Sequence, residues 1–127
     1  MAEMRILVVY YSRGGNSRAV AEEIARVLGG ADLEEIRDTV DRRGFRGYLR
    51  SGRDAMRHAT TVLVSPGRDV RGYDEVVVGT PVWAGNVSTP TRTWLVAHAG
   101  ELRRVALFLT HGGAWAERVL KIGRAHV

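Results

Sequence analysis

Three stretches of the chain are apolar without interruption: Ile6 to Tyr11, the core of EVVVGT at Glu75 to Thr80, and that of RVALFLT at Arg104 to Thr110. Each is short, rich in aliphatic residues and followed by turn formers, the pattern of a strand covered on both faces in a parallel sheet. ADLEEIRD, from Ala31, shows only a weak polar alternation and reads as an edge strand at the sheet margin. Between the strands the period becomes helical. A first helix is expected from about Ser17 to Leu28, with Val20, Ile24, Val27 and Leu28 on one face and Gly29-Gly30 as its stop. A second runs from Arg43 to Ala59, where Phe45, Tyr48, Leu49 and Met56 alternate with small Gly52 and Ala55, and the opposite side carries Arg43, Arg46, Arg50, Arg53 and Arg57. TTVLVSPG reads as an extended connector, because PG ends it early. Thr89 is expected to cap a third helix with Pro90 at its first position, continuing through Trp94 and Leu95 to Gly100. HGGAWAERVL then reads as a loop and the start of a fourth helix. Strands alternating with helices predict a single α/β domain with a doubly wound parallel sheet and right-handed crossovers.

The absence of cysteine removes disulfides, thiolate metal sites and cysteine nucleophiles, so redox chemistry would require a bound cofactor. MAEMRILVVYYS has no basic leader region, and its apolar stretch is too short for a signal peptide or a membrane span. A cytoplasmic location is expected on that ground. The formal charge is +5, carried by arginine with one lysine, Lys121, in the closing KIGRAHV. Without those seven residues, 17 arginines against 14 acidic residues leave +3. KIGRAHV resembles the in-frame translation of a sequencing adapter. The expected domain is therefore residues 1–120, incomplete at its C-terminus, with 121–127 a non-native tail.

Chemistry is expected where the strands end. In an open parallel sheet, ligands bind outside the carboxyl ends of the strands at a topological switch point. Three loops lie there: SRGGNS after the first strand, PVWAGNVS after the second buried one and HGGA after the third. All are rich in glycine and small polar residues. Such a loop opening a helix presents several N–H groups to one point, with the helix dipole favouring an anion, and so suits a phosphate. GxxxxGK[ST] is absent, and GxGxxG does not follow the first strand, which argues against Walker and dinucleotide sites. No acidic cluster follows that strand, unlike a phospho-acceptor domain.

VVYYSRGGNSRAVAEEI, from Val8, resembles the FMN phosphate signature of flavodoxins: Val8-Val9, aromatic Tyr10, hydroxyl Ser12, small Gly15, hydroxyl Ser17, then Ala21 and Ile24. YDEVVVGTPVWAGNVSTP, Tyr73 to Pro90, resembles the flavin loop of a short flavodoxin-like group, and LTHGG its third loop. Gly14 and Ser17 stand where that family usually has threonine, and His111 where it has a small or hydroxyl residue. The resemblance implies a flavodoxin-like sheet of order 2-1-3-4, with a fifth strand and last helix missing, and FMN as cofactor. It implies that Ser12, Asn16 and Ser17 donate to the phosphate together with backbone N–H groups from Arg13 through Gly14 and Gly15 to Ser17. Trp83 would stack on the isoalloxazine, although a tryptophan after a buried strand also serves as a core plug. Thr80, Pro81 and Val82 would line the ring edge, and the Ala84–Gly85 peptide would turn over on reduction. Thr110, His111, Gly112 and Gly113 would close the other side.

Two functions share this chemistry: an FMN-binding electron carrier, and an FMN-dependent NAD(P)H:quinone-type oxidoreductase. The arginine stripe could dock an acidic redox partner or the phosphates of NADPH, against the plainer reading of a solvated helix face. It lacks the aromatic interleaving of a nucleic-acid surface, so no nucleic acid is expected as a partner, and no metal site.

Overall fold

A computed structural model describes residues 4–64 and 67–110. In chain order its elements are β1 (Ile6–Tyr10), α1 (Asn16–Val27), β2 (Asp32–Glu35), α2 (Gly44–Met56), β3 (Glu75–Trp83), β4 (Asn86–Val87), α3 (Thr89–His98) and β5 (Val105–Thr110). β2, β1, β3 and β5 form the expected parallel sheet in that order, with β2 at one margin. In the register, Val8 faces Leu33 on one side and Val77 on the other, and Val77 in turn faces Ala106.

Because successive side chains in a strand point to opposite faces, an unbroken apolar run supplies two cores. Leu7, Val9, Val76 and Val78 pack with Trp94 and Leu95 of α3 on one face. Val8, Tyr10 and Val77 pack with Ala21 and Ala25 of α1 on the other. Gly79 of β3 faces Phe108 of β5, and a methyl group at Gly79 would collide with that ring.

Three local expectations are corrected. α1 buries Ser17, Ala21 and Ala25, while Val20, Val27 and Leu28 are exposed. Small side chains let the helix approach the sheet closely, and of the four expected aliphatics only Ile24, partly buried, packs against that core. α2 likewise buries Gly47, Ser51 and Ala55 and leaves Phe45, Tyr48, Leu49 and Met56 exposed. A side chain at Gly47 would strike the Arg42 backbone, so only the glycine face can seat there. The cap of α3 is Ser88, not Thr89: its hydroxyl accepts from the Thr91 N–H, and Pro90 sits inside the first turn.

The turn that ends β3 was not visible in the hydrophobic pattern. β3 folds back on β4 with Val82 opposite Val87 and Trp83 opposite Asn86. The connecting residues, Ala84 at φ 50° and Gly85 at φ 76°, both have the positive φ that two-residue hairpin turns of type I′ require. The expected loop and helix start in HGGAWAERVL, and the 121–127 tail, lie outside the described residues. Among the described residues no helix is long and apolar enough to cross a membrane.

Candidate functional site

A cleft of about 750 Å³ opens at the carboxyl ends of β1 and β3. Its walls are the loop after β1 (Arg13, Gly14, Asn16), the turn after β3 (Pro81, Val82, Trp83, Ala84) and one flank of α2. That size and the joining of an apolar lining to a few polar groups are typical of small-molecule sites.

The loop after β1 closes on itself and opens α1 without a side-chain cap. Ser12 Oγ accepts from the Gly15 N–H at 2.9 Å, which closes the loop on itself. Gly15, at φ 98°, occupies the N-cap of α1 and supplies no side-chain cap, leaving the N–H groups of the first turn without that partner. A methyl group added at Gly14 or Gly15 would meet open space. Asn16 is exposed and lines the cleft. Ser17 is buried instead, and its hydroxyl shares a 2.7 Å hydrogen bond with Thr110 Oγ1 at the end of β5. The loop is thereby tied to the third strand end.

Arg13 reaches away from the loop. Its Nε donates to the Arg42 carbonyl at 2.8 Å and its Nη2 to the Gly44 carbonyl at 2.9 Å, with the guanidinium 5.7 Å from the Tyr48 ring centroid. It binds the loop to the start of α2. The later half of α2 is held by the other wall: Asn86 Nδ2 donates to the Ala55 carbonyl at 3.4 Å and to the Ala84 carbonyl at 3.2 Å.

Behind the cleft lies a buried charged cluster that the sequence did not reveal. Arg42 Nε donates to Asp38 Oδ2 at 2.9 Å, and Nη1 lies 3.1 Å from Ser51 Oγ and 3.2 Å from Asp54 Oδ2. Both side chains of the Arg42–Asp38 pair are 3% exposed. The guanidinium sits 5.1 Å from the Trp83 ring centroid, and Tyr11 meets that ring edge-on at 5.3 Å. Trp83 is thus fixed from behind while lining the cleft, so it serves as core plug and cleft wall together. Burial pushes the Tyr11 hydroxyl up to about 12, with Asp38 adding to the shift and Arg42 and Arg13 opposing it.

Thr80 does not line the cleft. It is fully buried, donates to the Pro81 carbonyl at 2.8 Å and lies 3.0 Å from Ser88 Oγ, which in turn reaches Thr91 Oγ1 at 2.7 Å. These hydroxyls lock the end of β3 to the cap of α3. His111, Gly112 and Gly113 lie outside the described residues.

Sequence reasoning missed the third wall, made of Tyr48, Leu49, Ser51, Gly52, Met56 and the arginines Arg53 and Arg57. The available signal was the pattern itself. A helix with glycine, serine and alanine at helical spacing can seat that narrow stripe and turn its large apolar side chains outward.

The flavodoxin family's sequence model matches residues 5–126. No curated protein is a significant match to the chain. Among solved structures, a flavoprotein from Lactobacillus acidophilus crystallised in complex with FMN superposes with a TM-score of 0.84 at 23% identity, covering 98% of this chain and 86% of that one. A putative flavoprotein from Bacteroides eggerthii gives 0.74 at 22% identity, over 98% and 84% of the two chains. A WrbA-like flavodoxin from Agrobacterium tumefaciens gives 0.62 at 13% identity, over 98% and 71%. These likenesses establish the architecture, and the family match covers nearly the whole sequence. The chain belongs to the flavodoxin family.

Proposed function

We propose that this protein binds FMN in the cleft and transfers electrons. The observation that carries the reading is the loop after β1, where α1 starts without a side-chain cap and Gly14 and Asn16 line the same cleft as Trp83. The phosphate would rest on the first-turn N–H groups of α1 and the Asn16 side chain, with the isoalloxazine at Trp83 and Val82. Ser12 Oγ accepts from the Gly15 N–H and keeps its own O–H to donate to the phosphate, whereas Ser17, buried and bonded to Thr110, would act chiefly by shaping the loop. Arg13 would leave the dianion to neutral donors, since its guanidinium is committed to two carbonyls. When bound, FMN supplies one- and two-electron chemistry, and the protein supplies binding, orientation and electrostatics. This chain's own part would be to hold the ring against an immobile tryptophan and to keep water from that face. Family membership and the FMN-bound structural relative support the choice of ligand.

A second reading, an FMN-dependent NAD(P)H:quinone-type oxidoreductase, is favoured by one observation: the α2 flank gives the cleft an additional apolar wall. Titrating FMN into the purified chain should quench flavin fluorescence with saturation at stoichiometric ligand. No quenching at any accessible concentration would defeat both readings. Rapid mixing of the loaded protein with NADPH then separates them: bleaching of the flavin band within seconds marks the oxidoreductase, and an unchanged band marks the carrier.

A further inference from the structure

Helix α2 exposes Tyr48, Leu49 and Met56 along one wall of the cleft, and Arg53 and Arg57 line the same wall. Two other arginines of this stretch are paired, and Arg46, which has no ion pair among the described residues, does not line the cleft. Arg43 pairs with Asp41 at 3.0 Å, and Arg50 lies 3.9 Å from Asp54, which already faces Arg42. Among the described residues, Arg53 and Arg57 have no ion-pair partner. Two guanidinium groups therefore border an apolar cleft with their charge uncompensated.

Their position along the helix separates them from the loop after β1. Arg13 fastens that loop to Gly44 at the start of α2, whereas Asn86 fastens the turn after β3 to Ala55. At 1.5 Å per residue, Arg53 is about 13 Å along the axis from Gly44. The charges stand at the Trp83 end of the cleft, away from the place suited to a phosphate.

We propose that this wall is a subsite for a planar aromatic compound bearing an anionic group, held between α2 and the cofactor ring; this rests on the FMN reading above. The aromatic plane would lie against Tyr48, Leu49 and Met56, and its carboxylate or sulfonate would take the guanidinium forks of Arg53 and Arg57. Arginine matches both parts of such a ligand, because it binds oxyanions through paired N–H groups and stacks on ring faces. A neutral quinone would use the apolar wall and leave both charges idle.

The test uses the full FMN-loaded chain and two redox-inert probes, naphthalenesulfonate and its neutral counterpart naphthalenemethanol, with binding read by calorimetry and by perturbation of the flavin visible band. The sulfonate should bind about tenfold more tightly than the alcohol at low salt, and the preference should shrink as salt is raised. The double variant Arg53→Gln/Arg57→Gln should remove the preference while leaving the alcohol's affinity unchanged. Both side chains are exposed, so the variant is expected to fold, and Tyr48→Ala should weaken both probes alike. Equal binding of the two probes overturns the proposal, as does a preference that survives the double variant. If the double variant loses FMN affinity instead, the arginines serve the cofactor phosphate and the proposal is wrong. A wild-type chain that takes up no FMN refutes the underlying reading before any naphthalene compound is added.

Discussion

The guanidinium of Arg42 lies 5.1 Å from the ring centroid of Trp83 and is at the same time ion-paired with Asp38 at 2.8 Å, all within the protein interior. One side chain thereby joins the connection between β2 and α2 to the aromatic wall of the cleft. Removing one member of a buried pair strands the other as an uncompensated charge, at a cost of about 3–5 kcal/mol. Arg42→Ala should show that loss in urea unfolding. Arg42→Lys keeps the charge but not the fork that reaches Asp38, Ser51 and Asp54 together, and should fall between the variant and wild type. A loss below ~1 kcal/mol for Arg42→Ala would mean that the cluster contributes little.

Tyr11 makes a prediction at alkaline pH. Its hydroxyl titrates near 12 in the folded protein against about 10 in an unfolded chain. Between those values the folded state retains a proton that the unfolded state has released, so stability falls as pH rises. The contribution is complete below pH ~10 and gone above pH ~12, amounting to about 2–3 kcal/mol. Ultraviolet titration of tyrosinate should show a late step that Tyr11→Phe diminishes, the remainder belonging to Tyr73, whose hydroxyl is also pushed upward by burial and the Asp32 hydrogen bond. If all 4 tyrosines ionise together near the ordinary value while the protein stays folded, the environment assigned to Tyr11 is incorrect.

The hydroxyl pair Ser17–Thr110 should behave as a unit. Ser17→Ala and Thr110→Val should each destabilise by about 1 kcal/mol, because each leaves a poorly solvated partner unpaired. The double variant should lose clearly less than the sum. Strict additivity in thermal unfolding would show that the bond contributes nothing.

At the turn after β3, Ala84 holds a left-handed conformation that an L-residue adopts at a cost of about 1–2 kcal/mol. Ala84→Gly should relieve part of that strain, offset by the greater freedom of glycine in the unfolded chain. The net expectation is a gain of a few tenths of a kcal/mol. Gly85→Ala should lose about 1 kcal/mol, since it creates the same strain at φ 76°. Opposite signs for the two variants in calorimetric unfolding are the test.

The parallel sheet was readable because each buried strand is an uninterrupted aliphatic run between turn residues. Ile6–Tyr10 and Val105–Thr110 lie where that pattern put them; β3 begins at Glu75 as expected but runs past Thr80 to Trp83, through residues read as a loop. Helix positions were equally legible, but helix orientation was not. The expectation that large apolar residues face inward fails for α1 and α2, where Ala21, Ala25, Gly47 and Ser51 make the contact. Packing distance decides such cases, and a single sequence does not display it. In the cleft, Arg13, Gly14 and Asn16, and Pro81 to Ala84, were recognisable from the glycine-rich loops. The wall from α2 was hidden by the same mistaken orientation. Arg42, Asp38 and Asp54 were hidden because their charges become partners only after the chain between β2 and α2 has folded over Trp83.

Arg13 belongs to the loop after β1 yet spends its hydrogen bonds on the carbonyls of Arg42 and Gly44. The consequence concerns how such a protein can change over generations. Position 13 sits inside the segment that would grip one molecule and is tied to the start of the segment that would choose another, so a substitution there is expected to disturb both traits at once.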